Sequence, residues 1–108
     1  MNTHVVNKYF QLWNAQDSEQ FRSLLTDNIS LTDWDLSVSG IDEVVSANEN
    51  IWANVSDIKI VVLDIAVNAN RAYCHIKVSS ESKDFELNVI DVLTFDGEKI
   101  SRVDAFKN

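Results

Sequence analysis

The sequence contains no proline and only 2 glycines, Gly40 and Gly97. Inter-domain linkers are usually rich in both, so the 108 residues read as one domain, 1–108, without an internal boundary. A single cysteine, Cys74, excludes a disulfide within the chain and suits a reducing compartment. No apolar run is long enough to cross a bilayer. The opening Met1-Asn2-Thr3-His4 lacks the basic-then-apolar layout of a secretory leader, so the expected location is cytoplasmic. Positive charge is also scarce: 9 Lys and Arg against 17 Asp and Glu give a net charge of −8. That balance repels nucleic acid and anionic membrane surfaces, and neither is expected as a partner. His4, His75 and Cys74 are too scattered to suggest a metal site. There is no glycine-rich phosphate loop and no nucleophile elbow, so no cofactor is expected.

Hydrophobic residues make up 45% of the chain, enough for a folded core. Val5, Val6, Tyr9, Leu12 and Trp13 recur at helical spacing and predict an amphipathic first helix. Asp17 or Ser18 caps a second short helix whose apolar stripe is Phe21, Leu24 and Leu25, with Asp27-Asn28 as its stop. Ile29 to Trp34 alternates as a strand. Gly40 precedes a third helix with Ile41, Val44, Val45, Asn48, Trp52 and Val55 on one face, and Asp42 and Glu43 complement the dipole of its first turn.

From Asp57 onward every segment reads as strand. Ile58 to Val67 is rich in β-branched residues. Asn68-Ala69-Asn70 turns the chain into Arg71 to Ser80, and Ser80 to Lys83 turns it again into Asp84 to Phe95. Asp96-Gly97 is a tight-hairpin signal before Lys99 to Phe106. Helices first and an antiparallel meander last predict an α+β domain with helices on one face of a curved sheet.

Two aspartates break this patterning. In the strand ending at Phe95, one side carries Phe85, Leu87, Val89, Asp91, Leu93 and Phe95. A carboxyl placed mid-strand among these side chains loses hydration, and its pKa should rise. Either it bonds a nearby backbone or tyrosine group and is structural, or it is a neutral acid able to donate a hydrogen bond to an oxyanion. Asp33 ends the apolar side of the earlier strand, where partial solvation suits an ionised base as well as an ordinary strand-end residue. Asp35, two residues on, could hold the same role. Tyr9, on the apolar face of the first helix, is either a core tyrosine or a hydroxyl donor into the same region. Cys74 groups with Ala72, Ile76 and Val78 as core.

The runs Val5-Val6-Asn7-Lys8-Tyr9 and Trp13-Asn14-Ala15-Gln16-Asp17 resemble the opening of the SnoaL-like and ketosteroid isomerase-like families of the nuclear transport factor 2 (NTF2-like) superfamily. The segment from Asn88 to Ile100 is similar to that superfamily's penultimate hairpin. The resemblance covers nearly the whole chain and implies a cone: three N-terminal helices packed on a strongly curved antiparallel β-sheet enclosing a pocket. Similarity to bacterial ketosteroid isomerase implies three site residues. Tyr9 falls at the helix-one tyrosine, Asp33 at the general base and Asp91, in Val-Ile-Asp-Val, at the protonated aspartate. Trp13, Trp34, Asn48, Trp52, Val89 and Leu93 are the expected lining. Trp34 stands where the family usually has proline, and the sequence ends soon after the last strand, without a tail to close the pocket. The implied activity is acid–base chemistry on a small apolar carbonyl compound, as an isomerase, cyclase or dehydratase. The alternative is a non-catalytic binding or dimerisation module. Tyr73, His75 and Lys77 share a strand face on which a second copy could pair, giving a homodimer through the sheet.

Overall fold

The computed structural model describes residues 3–108, so Met1 and Asn2 of the leader reading lie outside the described residues. Helix α1 (Thr3–Ala15) buries Val5, Val6, Tyr9, Leu12 and Trp13, the stripe its periodicity predicts, and Phe10 beside them. Gln16, at φ 56°, ends it in the left-handed region. Asp17 then caps α2 (Ser18–Arg22), its carboxylate accepting the Gln20 backbone N–H at 3.1 Å.

The second helix is shorter than its apolar stripe predicts. Helix α2 stops at Arg22, and Leu25 opens strand β1 (Leu25–Thr32), which also contains Asp27 and Asn28. Leu25 pairs with Ile100 and is buried, so strand pairing and burial outweigh the local helical pattern. A short strand, β2 (Ser37–Ser39), follows and pairs antiparallel with β1. Its three residues carry no pattern long enough to read from sequence. Gly40, at φ 93°, is the N-cap of α3 (Ile41–Asn54), in a conformation that favours glycine.

The remaining strands are β3 (Lys59–Asn68), β4 (Arg71–Ser80), β5 (Phe85–Asp96) and β6 (Lys99–Lys107). They form the expected antiparallel meander, and the six-stranded sheet has the order β2-β1-β6-β5-β4-β3. β1 joins β6 in parallel, so the helical N-terminal third is closed onto the last strand. Irregular register at Val62/Asp64 in β3 and Thr94/Phe95 in β5 bends the long strands, as bulges do. The result is a curved sheet that does not close, with the helices on its concave side.

Side-chain ties hold the helices in place. Asn14 at the end of α1 donates to the Ile60 carbonyl and accepts the Ile60 N–H, both at 2.8 Å, binding the helix to β3 like an extra strand residue. Asp57 accepts hydrogen bonds from the Ser80 hydroxyl and from the Ser82 N–H and hydroxyl, fixing the α3–β3 connection to the β4–β5 turn. These bonds to the charged form hold the Asp57 carboxyl well below the usual carboxylate range. No described helix is long and apolar enough to cross a membrane.

Candidate active site

Between α1, α3 and the concave sheet lies a cavity of about 170 Å³. Its walls are mostly aliphatic: Ile51 and Ile58 on one side, and Leu31, Ile60, Ile76, Val78, Leu87, Val89 and Val103 from the strands. Tyr9, Asp33, Asn48 and Asp91 bring polar groups to this surface. The three residues singled out from sequence, Tyr9, Asp33 and Asp91, therefore reach one cavity although they are distant along the chain.

Asp91 occupies the middle of β5, flanked by Cys74 of β4 and Ala105 of β6. Its side chain points to the concave face with Val89 and Leu93, and the residue is only 7% exposed. Its carboxyl makes no hydrogen bond or ion pair with another described residue. Burial pushes its pKa up from 3.8 to about 7, and the nearby negative charge of Asp33 adds to the shift. A neutral carboxylic acid facing an apolar cavity is a hydrogen-bond donor without a protein acceptor.

Tyr9 is buried, and its ring packs 5.1 Å from Phe10 and 5.0 Å from Phe21 between centroids. Its hydroxyl also has no hydrogen-bond partner among the described residues. Desolvation raises its pKa well above 10.0, with smaller contributions from Asp91 and Cys74, so it remains a protonated donor. Cys74 is fully buried, as its strand pattern predicts, and burial followed by the charge of Asp91 pushes its thiol up to about 12.

Asp33 sits one residue past β1 and is half-buried. A tight turn holds it: its backbone N–H donates to the Leu36 carbonyl at 2.8 Å, and its Oδ1 accepts the Asp35 N–H at 2.8 Å. Asp35 is exposed and absent from the cavity wall, so its backbone orients the Asp33 carboxylate while its own side chain points elsewhere.

The expected lining divides. Trp13, Trp34, Asn48 and Val89 do face the cavity. Trp13 Nε1 donates to Asn48 Oδ1 at 2.9 Å, and Asn48 Nδ2 donates to the Val44 carbonyl at 2.8 Å, which fixes both side chains. Trp52 and Leu93, also expected in the wall, do not face the cavity. Trp52 packs edge-on against Trp13 at 5.7 Å and Phe21 at 6.0 Å, in the aromatic core behind the wall. Leu93 is on the Asp91 side of β5 but fully buried, because the core has closed over that part of the strand. Trp34, 40% exposed with Lys107 Nζ 5.2 Å over its ring, is the most exposed wall residue, and Asp33, Ile51, Val78, Phe85, Leu87 and Ala105 are half-buried. Ile58, Ile60, Ile76 and Val78 were not singled out from sequence: they look like any strand residues, and only sheet curvature distinguishes lining from filled core.

Tyr73, His75 and Lys77 lie on the opposite, convex face, with Ile90 and Phe106. Among the described residues, no group of His, Cys, Asp or Glu has the arrangement to hold a metal ion.

A sequence model of the SnoaL-like domain matches residues 6–103. No curated protein matches. Among solved structures, the chain is similar to a candidate ketosteroid isomerase of Kribbella flavida at 19% identity. That alignment covers 97% of this chain and 76% of the other, with a TM-score of 0.86. It is also similar to a candidate polyketide cyclase of Sinorhizobium meliloti, at 17% identity, 94% and 93% coverage and a TM-score of 0.88. A cystatin-fold protein of Novosphingobium aromaticivorans aligns at 19% identity over 94% of each chain, with a TM-score of 0.85. At these identities the likeness extends to fold alone.

Proposed function

The chain belongs to the SnoaL-like domain family, and from that premise we propose that it is an acid–base enzyme acting on a small apolar carbonyl compound, in the manner of a ketosteroid isomerase. The observation that carries the proposal is Asp91: a buried carboxyl, raised to about 7 and without a protein partner, sharing an apolar cavity with a second, solvent-reaching carboxylate. Two carboxyl groups in such different environments are suited to opposite roles.

In the proposed reaction the Asp33 carboxylate takes a proton from the carbon next to the carbonyl. The C–H electron pair forms a new C=C bond, and the carbonyl π pair moves onto oxygen. Tyr9 and neutral Asp91 donate hydrogen bonds to that oxygen, where a donor of this kind is typically worth about 10²–10³ in rate. Asp33 then returns the proton to a different carbon, moving the double bond. Proton transfer by a positioned base contributes about 10²–10⁴ more. The size of the cavity, 170 Å³, is close to the roughly 150 Å³ known to hold a benzene, so the reacting part of the substrate is a single ring.

The test is conversion of 3-cyclohexen-1-one to its conjugated isomer, followed by the ultraviolet absorbance of the product. Turnover by the parent that is lost in Asp33→Asn supports the proposal, and a parent rate equal to buffer removes it. Binding of the ketone without turnover would leave the protein as a ligand-binding module.

The protein is also proposed to pair through the convex face, which exposes Tyr73, Ile90 and Phe106. Light scattering should then report a dimer that Phe106→Glu dissociates, and a monomer at high concentration would exclude it. A cytoplasmic setting suits the buried free thiol of Cys74.

A further inference from the structure

Asn48 brings to the cavity wall a polar side chain that the proposed reaction does not use. It lies on α3 and is 5% exposed. Its amide has only one satisfactory orientation. The Trp13 indole N–H donates only, so it fixes Oδ1 at 2.9 Å, and the Val44 carbonyl accepts only, so it fixes Nδ2 at 2.8 Å. These are its side-chain hydrogen bonds among the described residues. An amide nitrogen carries two N–H groups, so one is left over. Anchoring the indole requires only the oxygen. A buried N–H without an acceptor is destabilising, and the wall around this one is mostly aliphatic. Asn48 is also set apart from the reacting groups. Trp13, which holds it, follows Tyr9 by four residues, a rise of about 6 Å along α1. The amide makes no hydrogen bond to Tyr9, Asp33 or Asp91.

We propose that the spare Asn48 N–H binds a second oxygen of the substrate, across the ring from the reacting carbonyl, so that the substrate is a cyclic ketone oxygenated at both ends. The inference rests on the acid–base reading for which end reacts, but the spare donor is independent of any reaction. A neutral N–H selects an acceptor, here a carbonyl, ether or hydroxyl oxygen. A site built to bond such an oxygen discriminates against the analogue that lacks it, because the buried donor is then left unpaired. Held at both ends, the ring keeps the carbon next to its carbonyl in one place relative to Asp33.

Titration calorimetry with two ketones of nearly the same shape tests this. The first, 1,4-cyclohexanedione, carries the second oxygen, and 4-methylenecyclohexanone replaces it by a methylene carbon. The quantity read is the ratio of their affinities. Trp13→Phe removes the indole donor and leaves the Asn48 amide, so it should keep the parent ratio. Adding Asn48→Leu to Trp13→Phe removes the amide without orphaning an indole N–H. Replacing both partners of a buried bond by apolar groups of similar shape is nearly neutral for stability, so this double variant should fold, as circular dichroism would verify. Its diketone-to-methylene ratio should fall by about fivefold to tenfold. An equal ratio in Trp13→Phe and the double variant overturns the proposal. A ratio already lost in Trp13→Phe overturns it too, by assigning the discrimination to the indole. If the parent does not isomerise 3-cyclohexen-1-one but the ratio falls in the double variant, the acid–base reading fails and the second contact stands. Turnover with an unmoved ratio does the reverse.

Discussion

Replacing Asp91 by asparagine should make the protein more stable at neutral and alkaline pH. The side chain keeps its shape and loses its charge. In the unfolded chain Asp91 titrates near 3.8, and in the folded protein at about 7. Between those values the folded state holds a proton that the unfolded state has released. The parent is therefore fully stable, as far as this group is concerned, below about pH 4, and loses stability as pH rises to about 7. The shift is roughly three units at ~1.4 kcal/mol each, so the accumulated loss is about 4 kcal/mol. That is a large share of the ~5–15 kcal/mol that holds a domain together. The groups facing Asp91 are Tyr9, Cys74 and Asp33. Tyr9 and Cys74 are pushed above this window, which leaves Asp33 as the neighbouring charge. Urea denaturation of parent and Asp91→Asn between pH 4 and 8 should give curves that coincide in acid and diverge toward pH 8, with the variant higher. Parallel curves across that range would refute a raised Asp91 and, with it, the neutral donor in the cavity.

Other expectations follow from the same geometry. Asp33→Asn should lower kcat by about 10²–10⁴ while leaving the melting midpoint nearly unchanged, because the residue is half-buried and asparagine keeps the Oδ1 that accepts the Asp35 N–H. Asn48→Leu removes the acceptor of the buried Trp13 indole N–H and should cost about 1–3 kcal/mol in urea denaturation. Asp57→Ala should destabilise the protein at pH 7. Because the Asp57 carboxyl is held below its ordinary range, that stabilisation is present above about pH 4 and lost in acid, so the gap between variant and parent should narrow there.

The elements that could be read from sequence were those with long, consistent periodicity. The α1 stripe and the β3–β6 meander are written in nine or more residues each, and their hairpins are marked by Asn70 and Gly97. The stretch from Leu24 to Ser39 was not legible in the same way. Its pairing partner is β6, about 70 residues away, and no local pattern tells Leu25 that it will lie beside Ile100. The site followed the same division. Asp91 was visible because a carboxyl in the middle of an apolar strand face is a conflict that only a special environment resolves. Asp33 and Tyr9 needed the family resemblance to be joined to it. Trp52 and Leu93 were misplaced because a residue's face on a helix or strand does not say whether the space in front of it is empty. Trp52 meets Trp13 and Phe21 there, whereas Asn48, one helical turn earlier, meets the cavity.

The central claim is that Asp33 removes a proton next to a carbonyl while Tyr9 and Asp91 hold the oxygen. It can be tested without knowing the natural substrate, by dissolving cyclohexanone in deuterated buffer and following loss of its α-proton signal by NMR. Exchange should be faster than in buffer, abolished by Asp33→Asn, reduced by Tyr9→Phe, and slower above about pH 7 as Asp91 ionises. Exchange at the buffer rate with the ketone bound, or exchange that survives Asp33→Asn, would contradict it.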